Sequence, residues 1–166
     1  MANVATNILN QVVTQLQAAN GAGVYTFDLS ASGVVQRGVP KTMGVHGVQV
    51  WVSSPRSESA RGPVLTKFTR RLGVRIFGVA ATAFGDSFAT REDAALDLED
   101  DILRALEADR SLGGLVLDII AMGAERVEGG KLADRYDLAV DDVETLDGLP
   151  VVVVELVAEY YASTGV

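Results

Sequence analysis

The sequence has no cysteine and a single histidine. Without cysteine the chain forms no disulfide and offers no thiolate to a metal ion. The histidine, His46, lies between Val45 and Gly47 in a strand-like stretch. A serine triad needs a histidine beside a nucleophile and an orienting carboxylate, and no G-x-S-x-G motif is present. We therefore predict a structural histidine and a protein that is not an enzyme.

Long apolar runs and phosphate-binding motifs are also missing. No run reaches the roughly 18 apolar residues of a membrane-spanning helix, and the first residues lack the basic start and apolar core of a signal peptide. Neither G-x-x-x-x-G-K-[ST] nor a G-x-G-x-x-G placed between a strand and a helix occurs. We expect no membrane association and no nucleotide or other cofactor.

The chain does contain enough apolar residues for one core. With 166 residues, 48% of them hydrophobic, and 17 glycines, a single α+β domain spanning residues 1–166 is expected. Apolar residues recur at helical spacing over 2–19 and from Thr90 to Leu106. Strand patterns cover 24–29, 45–52, 64–81, 115–121 and 151–161. This order, α-β-β-β-α-β-β, predicts a mainly antiparallel sheet with two helices packed on one side.

Two polar stretches interrupt these elements. Residues 53–63, SSPRSESARGP, read as a mobile loop at the tip of a long β-hairpin arm. A bulge is expected in the following strand near residues 70–73. Residues 131–148 form an acidic excursion that holds either a short helix or a hairpin.

Charge is divided unevenly along the chain. Residues 1–85 carry 8 basic and 2 acidic side chains, and residues 86–166 carry 6 basic and 20 acidic ones, for a formal net charge of −8. A chain polarised in this way can present one basic and one acidic face, which attract each other when copies meet head to tail. Simple solvation of both faces is the alternative.

The basic candidates for docking cluster on the hairpin, and the acidic candidates lie on the second helix. The proposed docking residues are Arg56, Arg61, Lys67, Arg70 and Arg71, and the proposed acidic partner face is Asp97, Asp100 and Asp101. An acidic protein surface is the favoured partner of the basic group, because no aromatic residues alternate with its charges as in many single-strand nucleic-acid binders. The carboxylates lack the D-x-[DN]-x-[DN]-G spacing of a calcium loop, so no metal site is predicted.

Three segments carry a resemblance to a known family. They are NVATNILNQVVTQLQAA in the first helix, ALEADRSLGGLVLDI at Ala105–Ile119, and VVVVELVAEYY at Val151–Tyr161. Together they resemble the tail terminator proteins of long-tailed bacteriophages, the group that includes the minor tail protein U type. Related neck and tail-completion proteins share this layout.

The resemblance implies a structural virion protein of the tail and neck, assembled in the host cytoplasm. Such a protein forms a hexameric ring at the head-proximal end of the tail tube, stops tube polymerisation and presents the surface on which the head docks. Its implied partners are further copies of itself, the tail tube protein and the head–tail connector proteins. DNA passes through the ring without specific binding. Another virion connector, such as a head-completion or tail-tube protein, and a small ligand-binding domain remain alternatives.

Overall fold

The structure is a computed structural model, and it describes residues 3–41, 47–53, 58–61, 67–80, 88–139, 141 and 148–163. His46 and Arg56 lie outside the described residues. The helices are α1 (Val4–Leu16), α2 (Phe88–Glu107) and the short α3 (Leu132–Tyr136), which follows a 3₁₀ turn at Gly129–Lys131. The strands are β1 (Val35–Arg37), β2 (Gly47–Val52), β3 (Glu58–Arg61), β4 (Lys67–Val79), β5 (Asp118–Glu128) and β6 (Pro150–Ser163).

The six strands of the described residues join one sheet in the order β1-β2-β4-β6-β5, and β3 pairs with β4 beyond the end of β2. Every pairing is antiparallel except that of β1 with β2. The central ladder joins β4 and β6 without a break from Lys67–Ser163 to Val79–Val151. The predicted α+β class, with a mainly antiparallel sheet, is confirmed.

The two faces of the sheet differ in what covers them. Alternate residues of the central strands, such as Val74, Ile76, Val154 and Leu156, are buried against α1 and α2. We call this side the helix face, and it confirms the prediction of two helices on one side. On the opposite face the short α3 region covers Trp51, Phe77 and their neighbours.

One buried amide ties the two long helices together. Gln15 on α1 is 8% exposed, and its Nε2 donates to the carbonyl oxygens of Ala105, Leu106 and Asp109 at 3.1, 2.8 and 2.8 Å. The last carbonyls of a helix have no partner within it. Gln15 therefore closes the end of α2 with a side chain from α1.

The first predicted strand is wrong. Within the described part of the chain residues 24–29 form no ladder, and an isolated bridge joins Asn20 to Asp28. The reason is that the backbone N–H groups of Thr26 and Phe27 donate to the carboxylate of Asp101 and not to a neighbouring strand. The first strand is instead Val35–Arg37, inside a stretch that reads as loop from its glycines and proline.

The hairpin arm is also built differently from the prediction. Residues 58–61, expected within the loop, form β3 and pair with β4 at Glu58–Arg71 through Arg61–Phe68. β2 and β3 thus lie on the same side of β4 as one interrupted strand, and residues 54–57 and 62–66 lie outside the described residues. The bulge expected near residues 70–73 is absent from the β4–β6 ladder, and the described register shift lies in β5 between Ala121 and Gly123.

The close contact between α2 and the sheet leaves little room for a side chain at Gly78. A Cβ atom placed there would lie 2.9 Å from Cδ2 of Leu98 and 3.2 Å from Cδ1 of Ile102. We expect Gly78→Val to destabilise the protein by about 1–3 kcal/mol, because overpacking forces α2 away from the sheet. The measurement is urea unfolding.

Gly123→Val is the matched control for this change. Gly123 is also a strand glycine, but a Cβ there meets no atom of the described residues within 4 Å. Its valine variant is expected to keep wild-type stability. Equal stabilities for Gly78→Val and Gly123→Val would contradict the described packing of α2.

Candidate interaction surface

The strand order separates the two halves of the sequence laterally, toward the two opposite edges of the sheet. β1 to β4 come from the first half of the chain and lie on one side, and β5 and β6 come from the second half and lie on the other. The residues of β1 to β4 include six basic side chains and one acidic side chain. Those of β5 and β6 include five acidic and one basic. The charge asymmetry of the sequence therefore becomes a lateral polarity, with a basic side (β1–β4) and an acidic side (β5–β6).

The helix layer follows the same division. The amide-rich α1, which carries no charged side chain, packs on β1 and β2. The acidic α2 packs on β4 and β6, and its Glu99 pairs with Arg126 of β5. Glu99 of α2 thus lies over the acidic side of the sheet, while the helix also packs on β4 of the basic side.

Four of the five predicted docking residues lie in the hairpin formed by the pairing of β3 with β4, and Arg56 lies outside the described residues. Arg70 and Arg71 are both exposed, and they point to opposite faces because neighbouring strand residues alternate. Arg71 pairs with Glu159 of β6 at 3.2 Å. Within the described residues Arg70 has no ion-pair partner. Arg61 and Lys67 lie on β3 and β4 of the same hairpin.

Two of the three residues predicted for the acidic partner face, Asp97 and Asp100, are exposed. Asp97 is exposed without an ion pair among the described residues, and Asp100 is exposed and pairs with Arg104 at 2.7 Å. Asp101 is only 1% exposed, so its assignment to an acidic partner face is wrong. It lies on the buried side of α2, one turn beyond Leu98.

Asp101 has a structural role inside the chain. Its Oδ2 accepts from the N–H groups of Thr26 at 2.9 Å and Phe27 at 2.7 Å, and its Oδ1 accepts from Thr26 at 3.1 Å. Hydrogen bonds to a charged acceptor are stronger than neutral ones. Asp101 thereby fixes the loop that connects α1 to the sheet.

On the face opposite the helices, an open cavity of about 660 Å³ lies between α3 and β5. At its floor Arg75 pairs with Glu155 at 2.6 Å and lies over the ring of Tyr136, 4.8 Å from its centroid. The Tyr136 hydroxyl donates to Glu125, which also pairs with Arg135 at 3.3 Å. Four charged groups in this cavity are therefore neutralised in pairs.

The same network sets the protonation states around the cavity. Burial, and then the hydrogen bond to Glu125, raises the pKa of Tyr136 above its usual value. The hydrogen bond from Tyr136, and then Arg135, lowers the pKa of Glu125. Glu125 therefore stays ionised and Tyr136 stays neutral near pH 7, which favours a structural tie between α3 and β5.

A second carboxylate closes the acidic excursion. One oxygen of Glu128 accepts from the N–H groups of Gly130 at 3.0 Å and Gly148 at 2.7 Å. These backbone donors lower the pKa of Glu128. The carboxylate joins the two ends of the 131–148 excursion, of which residues 140 and 142–147 lie outside the described part. The excursion contains the short helix α3, one of its two predicted forms.

No model of a protein family matches the sequence, and a search of curated proteins gives no match. Within the described ranges, no group of three or more His, Cys, Asp or Glu side chains is placed to hold a metal ion. No helix in the same part of the chain is long and apolar enough to cross a membrane.

Proposed function

We propose that this protein is a structural subunit of a phage virion, of the tail-terminator type. Copies assemble head to tail into a six-fold ring at the head-proximal end of the tail tube. The ring ends tube polymerisation and offers a docking surface to the head–tail connector proteins. The assignment of the family comes from the resemblance of the first helix, the helix-to-strand junction at Ala105–Ile119 and the last strand.

The observation that carries the proposal is the lateral charge polarity of the sheet. A head-to-tail contact joins two different surfaces of the same subunit, and it closes into a ring when the rotation between neighbours allows. Basic and acidic sides at opposite edges suit that requirement. Arg71 and Arg75 are paired with acidic residues of β6 within the chain. The attraction between copies therefore comes from exposed charges that have no ion pair among the described residues, such as Arg70 on the basic side. Two identical surfaces meeting across a two-fold axis would gain nothing from this arrangement.

The net charge also supports the proposal that DNA passes through the central opening of the ring. DNA carries about one negative charge per 1.7 Å of duplex, and the protein has a formal net charge of −8. An acidic excess weakens nonspecific binding of DNA, so a duplex passes through a ring of such subunits without being held. The basic side chains are occupied, in this proposal, at contacts between subunits and with the tube.

The proposal is tested by adding the purified protein to tail tubes assembled from the cognate tube protein. Negative-stain images are expected to show an additional ring at one end of each tube, and further tube subunits should no longer lengthen that end. An unrelated acidic protein of similar size is the control. Tubes that keep growing at the same rate, with no ring at their ends, would contradict the proposal.

A further inference from the structure

The loop that follows α1 contains the one asparagine of the chain that precedes a glycine, Asn20. Asn20 is exposed, and so are the four residues after it. The backbone nitrogen of a following residue can attack the side-chain amide of asparagine, because the reaction is intramolecular and closes a small ring. Gly21 has no Cβ atom to obstruct that approach. A chemically labile asparagine therefore lies on an accessible loop.

The loop holds the side chain of Asn20 close to the backbone that follows it. Its Oδ1 accepts from the N–H of Ala22 at 3.1 Å. This is an Asx turn, which folds the amide group back along the next two residues. Attack on the amide carbon would turn Oδ1 into an oxyanion, and the N–H of Ala22 is already placed to stabilise that charge. The folded loop therefore favours the reaction.

Little of the fold resists the movement that ring closure requires. The bridge that joins Asn20 to Asp28 is isolated and belongs to no ladder. Gly21 and Gly23 have φ angles of +71° and +66°, and glycine changes its backbone angles at low cost. Local opening of an exposed loop with few bonds requires little free energy. The backbone nitrogen of Gly21 can therefore reach the amide carbon without unfolding of the sheet or of α1.

The other three asparagines of the chain lack this combination. Asn7 and Asn10 lie within α1, where helical hydrogen bonds hold the backbone N–H of the next residue. Asn3 caps α1 by accepting from the N–H of Thr6 at 2.8 Å, and the residue after it, Val4, is β-branched and restricts the approach of its nitrogen. The chain therefore contains its own comparison for the reactivity of Asn20.

We infer that Asn20 is a site of spontaneous deamidation, which converts it into aspartate and isoaspartate and loosens the loop after α1. The backbone nitrogen of Gly21 bonds to the amide carbon of Asn20 and gives its proton to solvent, and the amide nitrogen leaves as ammonia. Water then opens the cyclic imide at either of its two carbonyl carbons. One opening gives aspartate, and the other gives isoaspartate, in which the main chain runs through the side-chain carbons. The net reaction takes up one water and releases one ammonia, and it is independent of the proposed function.

Both products disturb the attachment of this loop to α1. The carbonyl of Ala19 accepts from the N–H of Leu29 at 2.7 Å, and both residues are buried. Isoaspartate lengthens the main chain by one carbon directly after Ala19. Either product also adds a carboxylate to the residue that faces Asp28, and like charges opposite each other destabilise a strand pair. Conversion therefore weakens the loop at one end, while Asp101 holds its middle.

Peptide mapping by mass spectrometry tests the site. The purified protein is incubated at mildly alkaline pH, with a second portion in urea as the unfolded reference. In the folded protein we expect Asn20 to convert about tenfold faster, or more, than any of the other three asparagines. Asn20→Gln, whose longer side chain must close a larger ring, is the matched control and should release little ammonia. An Asn20 that stays intact in the folded protein would overturn the inference, and so would equal conversion of all four asparagines.

Thermal melting tests the consequence for the loop. After incubation, the wild-type protein is expected to melt at a lower temperature than Asn20→Gln treated in the same way, although the two fresh proteins melt alike. Asn20→Asp carries the new charge without the longer main chain, so it should melt between fresh and incubated wild type. Equal melting temperatures of incubated wild type and incubated Asn20→Gln, with conversion of Asn20 established by peptide mapping, would overturn the loosening of the loop.

Discussion

Replacing Arg61, Lys67 and Arg70 together by glutamate is expected to yield a folded protein that no longer caps tail tubes and leaves tails of uncontrolled length. The three positions lie in the β3–β4 hairpin on the basic side of the sheet. Single exposed ion pairs are worth only about 0.2–1 kcal/mol, so single changes should be nearly silent. Triple reversal replaces several attractions by repulsions at once. Arg71 is left unchanged because it pairs with Glu159 within the chain.

The control for this variant reverses two exposed basic residues elsewhere in the chain, Lys41 and Lys131. Both lie outside the hairpin, and the double variant is expected to cap tubes normally. Thermal melting should show that both variants fold, and electron microscopy measures tail length. Tails of normal length with joined heads from the triple variant would show that the hairpin is not a docking element.

Asp101→Ala is expected to lower the free energy of unfolding by about 2–4 kcal/mol, since it removes a charged acceptor from two backbone N–H groups. The N–H groups of Thr26 and Phe27 would lose the partner that fixes their loop to α2. Asp101→Asn should lose less, because its remaining carbonyl oxygen can still accept. Urea unfolding monitored by the fluorescence of Trp51 provides the measurement.

Asp97 provides the matched control one turn earlier on the same helix. It is exposed and has no ion pair among the described residues, so Asp97→Ala is expected to change stability by less than about 0.5 kcal/mol. If Asp101→Ala were as stable as Asp97→Ala, the carboxylate of Asp101 would not hold the loop. That outcome would return Asp101 to the exposed acidic face predicted from the sequence.

The sequence predicts the long elements because their apolar residues follow one period over many positions. α2 and β6 have such patterns, and their described bounds begin and end within a few residues of the predicted ones. The short elements are decided by contacts that are distant in sequence. Val35–Arg37 becomes a strand because it lies beside β2, and residues 24–29 do not because Asp101 takes their N–H groups.

The burial of Asp101 could have been predicted from its position in the sequence of α2. Asp101 lies three residues after Leu98 and four before Ala105, which places it on the apolar side of the helix. Gln15 has the same kind of position, since it follows Ile8 and Val12 on the buried face of α1. A polar residue within an apolar helical stripe predicts a buried partner, but the identity of that partner depends on the tertiary fold.

The lateral polarity could be predicted only in part. Counting charges shows that the two halves of the chain differ in sign, but any strand order that mixed the halves would have cancelled the difference within the sheet. The observed order keeps β1 to β4 together and places β6 and β5 beside them. The cavity beneath α3 gave no sequence signal, because Arg75, Tyr136 and Glu125 are brought together by pairings across three separate segments.

Mixing two charge-reversed variants tests most directly whether the basic β3–β4 hairpin of one copy binds the exposed acidic face of α2 of the next copy. One variant carries glutamate at Arg61, Lys67 and Arg70. The other carries lysine at three exposed acidic positions of α2, Asp93, Asp97 and Glu107. Native mass spectrometry of each variant alone should show monomers, and an equimolar mixture should recover the oligomer, because each variant offers the other one complementary pair of surfaces. Oligomers of either variant alone, or a mixture that remains monomeric, would contradict the head-to-tail association of a basic and an acidic side.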